Sequence, residues 1–144
     1  MVTYNNIVTA FKTFATKHKQ INTYFSGQEF DFGTKTNLYP AMLCVGDNAT
    51  IEMGRFMFKF NVFFIDIGNQ DGSNADEIYS DMAQVAGDFV AEFSDNRDLY
   101  GFSIEDSVEL TQIFEKFDDI TYGWLASVAI QVPYTANDCN LPIA

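Results

Sequence analysis

Residues 120–132, ITYGWLASVAIQV, alternate without a slip. Ile120, Tyr122, Trp124, Ala126, Val128, Ile130 and Val132 fall on one side, and Thr121, Gly123, Leu125, Ser127, Ala129 and Gln131 on the other. A side-chain period of two is the mark of a strand, and a slip of one residue would turn the whole apolar row to solvent, so the register is strongly specified. At ~3.3 Å per residue the segment spans ~43 Å, enough to cross a small domain. The chain has to be built around a sheet that contains it.

A second long strand is read over residues 49–67, ATIEMGRFMFKFNVFFIDI, with Phe56, Phe58, Phe60, Val62 and Phe64 on one face. Met57, Lys59, Asn61, Phe63, Ile65 and Ile67 form the other, and Gly54 bends the strand or breaks it in two. Shorter strands are expected at INTYF (21–25), LYPAMLCV (38–45) and SVELTQIFEKF (107–117). Pro40 confines the second of these to a sheet edge, a strand start or a bulge, because proline has no N–H for the ladder. GDN (46–48) reads as the turn that follows it.

Two segments carry the helical period instead. Tyr4, Ile7, Val8, Phe11, Phe14 and Ala15 recur at three- and four-residue spacing, with Thr3 placed to cap them. From Ala75 to about Ser94, Ile78, Met82, Val85, Phe89 and Phe93 form one stripe, with Glu77, Asp81, Asp88 and Glu92 as an acidic stripe beside it. Asn74, with Glu77 three residues on, resembles a capping box at its start. The order is therefore α-β-β-β-α-β-β, an α+β domain with two helices packed on one face of a mainly antiparallel sheet. At 144 residues and 47% hydrophobic the chain supports one core. We read residues 1–132 as a single domain and 133–144 as an extended tail.

Composition excludes several functions. No apolar run approaches the roughly 20 residues of a spanning helix, Val62-Phe63-Phe64-Ile65 being typical, so no membrane is expected. The first residues lack a secretory pattern, which makes the cytoplasm the expected place of synthesis. Cys44 and Cys139 are too few for a disulfide framework, and with His18 the sole histidine there is no zinc pattern. A net charge of −12 opposes binding to a phosphate backbone.

No cofactor, metal or catalytic residue is assigned. His18 lies between Lys17 and Lys19, expected to be exposed and without a partner that would tune it as a base. Residues 66–77 fail as an EF-hand, because a glycine at the sixth loop position, Gly72, puts Ile67 and Ile78 at the ligand ends. A looser calcium site at Asp66, Asp71 and Asp76 competes with a plain turn and helix cap. Nucleotide-binding glycine motifs are missing. The aromatic row at Phe56, Phe58 and Phe60 lacks the basic groove of a single-strand binder and reads as core.

The charge is uneven. Residues 1–28 hold Lys12, Lys17 and Lys19 and no acid, +3, leaving five basic and twenty acidic side chains, −15, for the remainder. Such polarity suits head-to-tail contact between identical subunits, although a solvated helix end accounts for the lysines equally.

The element order, the aromatic strand and above all FDDITYGWLASVAIQVPYTANDCNLP (117–142) resemble the tail-terminator and neck or connector ring proteins of tailed bacteriophages, over roughly residues 4–142. The resemblance implies a non-enzymatic virion protein made in the host cytoplasm and built into a ring of six or twelve copies at the head–tail junction or tail end. It implies contact with neighbouring connector, tube or neck proteins, and a lumen that passes DNA without binding it specifically. Glu77, Asp81, Asp88 and Glu92 are the candidate lumen lining. Lys12, Lys17 and Lys19, together with Tyr134, Cys139 and Pro142 of the tail, are candidate subunit contacts, the tail ordering on a neighbour. Phe30 and Phe32 in loop 26–37 are candidate contacts to an adjacent ring, as is loop 68–74. The runner-up is a ligand-binding or enzymatic α+β domain with the aromatic sheet as pocket wall and Lys59, Asn61 and Tyr122 as its polar groups. A third reading, an antitoxin-like accessory protein, differs in partner alone.

Overall fold

The fold is taken from a computed structural model, which describes residues 2–27, 38–69, 71–105, 107–114 and 120–134. Among these the chain runs α1 (Tyr4–Lys17), β1 (Thr23–Ser26), β2 (Ala41–Glu52), β3 (Arg55–Ile67), α2 (Ala75–Asp95), the single turn α3 (Arg97–Tyr100), β4 (Ser103–Ile104), β5 (Glu109–Phe114) and β6 (Thr121–Pro133). It is an α+β fold with helices packed against a mixed sheet.

The sheet order is β1-β2-β3-β6-β4, with β5 also on β6, further along the same edge. The two strongest alternations in the sequence, β3 and β6, lie side by side and antiparallel over thirteen pairs, from Arg55↔Pro133 to Ile67↔Thr121. Residues directly opposite share a face, so the Phe56–Phe64 row and the Tyr122–Val132 row combine into one apolar surface. Onto it pack Ile7, Phe11 and Ala15 of α1 and Ile78, Met82, Val85, Phe89 and Phe93 of α2. Phe11 and Phe89 meet edge to face with ring centroids 5.0 Å apart, the arrangement favoured by aromatic quadrupoles. The opposite face is not left bare. Ala41, Leu43, Val45, Phe63 and Ile65 form a second, smaller buried cluster there.

Two local readings need correction, and a third is decided between its alternatives. GDN does not turn the chain: β2 continues through residues 46–48 as a register shift between Gly46 and Ala49 and ends at Glu52. The turn falls at Met53-Gly54, where Gly54 takes φ 87°, a conformation that costs glycine little. The long segment 49–67 is therefore split between β2 and β3, the broken form of the reading rather than the bent one. Asn74 stands at the N-cap position of α2 but makes no cap bond. Its side-chain oxygen accepts from the Asn69 N–H at 2.8 Å instead, closing the preceding loop. Thr3, by contrast, forms a reciprocal capping box with Asn6 at the start of α1. Strand β1 pairs with β2 in parallel, and Pro40 sits immediately before β2, where its missing N–H breaks no ladder.

Candidate assembly surface

Lys12, Lys17 and Lys19 are all exposed around the C-terminal part of α1, and no described residue forms an ion pair with them. His18, between two of them, departs from expectation. The crossing of α1 over α2 carries it against Asp88, Nε2 to Oδ2 at 2.9 Å, with only 15% of its side chain exposed. The Gln20 N–H donates to Nδ1 at 3.2 Å, so Nε2 carries the proton that is given to Asp88. A partner seventy residues away in sequence was invisible in TKHKQ.

The acidic stripe divides in two. Glu77 and Asp81 are exposed and make no ion pair among the described residues. Asp88 is held by His18, and the half-buried Glu92 accepts from the Tyr100 hydroxyl at 2.8 Å. Burial, then the Glu92 carboxylate, raises the Tyr100 pKa, so that hydroxyl stays a donor. Half of the stripe thus serves the chain's own packing.

The three polar groups of the pocket reading do not converge. Tyr122 is buried on the helix-covered face, whereas Lys59 and Asn61, one residue out of phase with the Phe58/Phe60 row, point to the other. An open cleft of about 500 Å³ lies between Tyr4, Ser26, Asp47, Phe58 and Lys59. Nor do Asp66, Asp71 and Asp76 gather: no three potential metal ligands cluster among the described residues. Asp66 accepts from the Ile67 N–H at the end of β3, and Asp71 from the Ser73 N–H in the loop before α2. The row Phe56, Phe58, Phe60 belongs to the core, Phe60 being 1% exposed and Tyr4 covering it at a ring distance of 5.2 Å. No helix among the described residues is long and apolar enough to cross a membrane.

One feature went unread in the sequence. The distal halves of β2 and β3 form a hairpin arm in which residues 46–54 are all exposed, including Ile51 at 71% and Met53 at 103%. β1 covers only Ala41–Cys44 of β2, and the Gly27 N–H closes that pairing on the Cys44 carbonyl. Beyond it, residues 45–52 have no strand on their outer side among the described residues. The arm is braced beside its tip, where Arg55 Nε donates to Glu52 across the turn at 2.8 Å and Arg55 Nη1 to Gln131 of β6 at 2.9 Å. A signal was present: apolar residues fall on odd positions at 49, 51 and 53 and on even ones from 56, a phase change that a bulge or a tight turn produces and that Gly54 suits. Tyr134, the last described residue, ends at this arm, its N–H donating to the Gly54 carbonyl at 2.9 Å and its ring 5.1 Å from that of Phe56. Phe30, Phe32, Cys139 and Pro142 lie outside the described residues.

A scan against protein-family models finds no match to this chain, and no curated protein matches it.

Proposed function

We propose that this chain is a structural protein that works as a closed ring of identical copies, and that the ring is the tail-terminator or neck ring of a tailed bacteriophage, joining the head connector to the tail while DNA passes through. The observation that carries self-assembly is the hairpin arm: Ile51 and Met53 are held out in water at the end of β2 and its turn, on an arm backed by β6 along its β3 side. Exposing such side chains together at the end of a rigid element is costly in a solitary protein and useful in one that docks. The exposed lysines of α1 and the exposed Glu77 and Asp81 of α2 add complementary charge, which suits heterologous contact between neighbours and ring closure. The phage assignment rests on the resemblance of residues 4–142, and the charge of −12 accords with a channel that repels a phosphate backbone.

Light scattering on the purified chain at several concentrations and two salt levels tests the reading. A species of six or twelve times 16.3 kDa, with a central hole in negative stain, is the expected result. A monomer at every concentration, unmoved by addition of connector or tube proteins, would sink it and turn attention to ligand screening.

A further inference from the structure

We propose that the outer edge of β2 in the hairpin arm is a receptor strand for the C-terminal residues 135–144 of a second copy of this chain. The inference rests on the self-assembling reading above and gives it a specific joint. Residues 45–52 present a strand edge without a partner strand among the described residues, and such an edge templates the pairing of an extended segment through its outward N–H and C=O groups. The chain's own exit point supplies the candidate. Tyr134 is pinned to Gly54 and Phe56 at the tip of the same arm, so every copy delivers its last ten residues, TANDCNLPIA, at this corner. Ten residues extended reach ~33 Å, ample for a neighbouring arm.

Two observations favour the neighbour's tail over the chain's own. β6 already occupies the β3 side of the arm up to Tyr134, and the edge of β2 that has no partner strand among the described residues lies on the far side. A tail serving its own arm must therefore reverse direction around the tip to reach that edge. Ile51 and Met53 are also left exposed by the described residues, beside the point where Tyr134 meets Gly54. The apolar end of the tail, Leu141, Pro142 and Ile143, matches that exposed pair in chemistry.

The native Cys139 makes the contact testable in the full chain, because the other cysteine, Cys44, is 1% exposed. Thr50→Cys, an exposed position on the receptor edge, is oxidised with diamide and run on a non-reducing gel, beside Thr111→Cys, exposed on the opposite edge of the sheet, as reference. The expected result is a ladder of interchain products at least five-fold stronger for Thr50→Cys than for Thr111→Cys, lost in a Cys139→Ser background. Adding Met53→Lys, at a side chain that touches nothing it could unfold, is expected to weaken the ladder several-fold. An intrachain link, or equal trapping at both positions, overturns the inference. Light scattering on the same samples separates the two failures: a ring without the ladder removes this joint alone, and a monomer removes the ring as well.

Discussion

Gly123 is the one position in the most regular alternation of the chain without a side chain, and its reason is backbone crowding. A Cβ at that position would run into the carbonyl oxygen of Phe64 and sit 2.9 Å from the Ile65 Cα, both main-chain atoms of β3 that cannot step aside without breaking the ladder. Gly123→Ala is therefore expected to cost about 3 kcal/mol, at the upper end of overpacking penalties, read as a lowered urea midpoint at unchanged slope. Cys44, 1% exposed, has its thiol pKa pushed up to about 12 by burial, with a hydrogen bond from Tyr24 pulling weakly the other way. The folded state then holds the proton more tightly than the unfolded chain, whose thiol titrates near its ordinary value of 9.0. Between those two values the unfolded state has lost the proton and the folded state has kept it, so stability falls as pH rises through that window and is flat below it. Burial, then Cys44, raises the Tyr24 pKa as well, adding to the same fall. Urea midpoints are expected to hold from pH 7 to 8.5 and drop from pH 9 to 11. Cys44→Ala should reduce the alkaline slope without abolishing it; an unchanged slope would mean that other groups carry it.

Among the elements, α1 shows how a terminus is fixed by its own first turn. The Asn6 N–H donates to Thr3 Oγ1 at 3.2 Å, while the Thr3 N–H donates back to Asn6 Oδ1 at 2.9 Å. Two otherwise unpaired N–H groups are satisfied at once. Thr3→Ala removes half of the exchange and is expected to lower stability by about 1 kcal/mol and Tm by about 3 °C. A calorimetric scan with no shift would show that the core, not the cap, sets the start of α1. Asn74 is the instructive contrast, since a cap-forming residue at the right place has been taken over by the loop before it. Local chemistry nominated both caps. Competition for a single acceptor oxygen, settled by the return path of the loop from β3, decided between them. The β2–β3 arm illustrates the same limit: a period of two identifies strand but does not say where a strand folds back, and a glycine–aspartate–asparagine run that suits a turn was absorbed as an irregularity within a longer strand.

For the molecule as a whole, the polarity of charge is the property with most consequence. If the α1 lysines meet acidic surface on a neighbouring copy, Lys12→Glu combined with Lys17→Glu and Lys19→Glu, which takes the net charge from −12 to −18, should reduce the assembled mass to that of a monomer. Because all three side chains are exposed, the monomer's own stability should change by no more than about 0.5 kcal/mol per site. Assembly that survives the reversal would place the contact elsewhere, with the arm as the next surface to alter. The sequence by itself determined the two helices, the central pair of strands and the face each residue of that pair presents, because burying one side of a helix or strand imposes a period that can be read without coordinates. It determined the charge asymmetry too. Only the tertiary structure decided that β3 and β6 are neighbours, that His18 and Glu92 find partners in Asp88 and Tyr100, and that Tyr122 and Lys59 lie on opposite faces. It also decided that an arm with an apolar tip stands clear of the core where the described chain ends. Those are matters of which surfaces meet across long stretches of chain, and periodicity, which is local, carries no information about them.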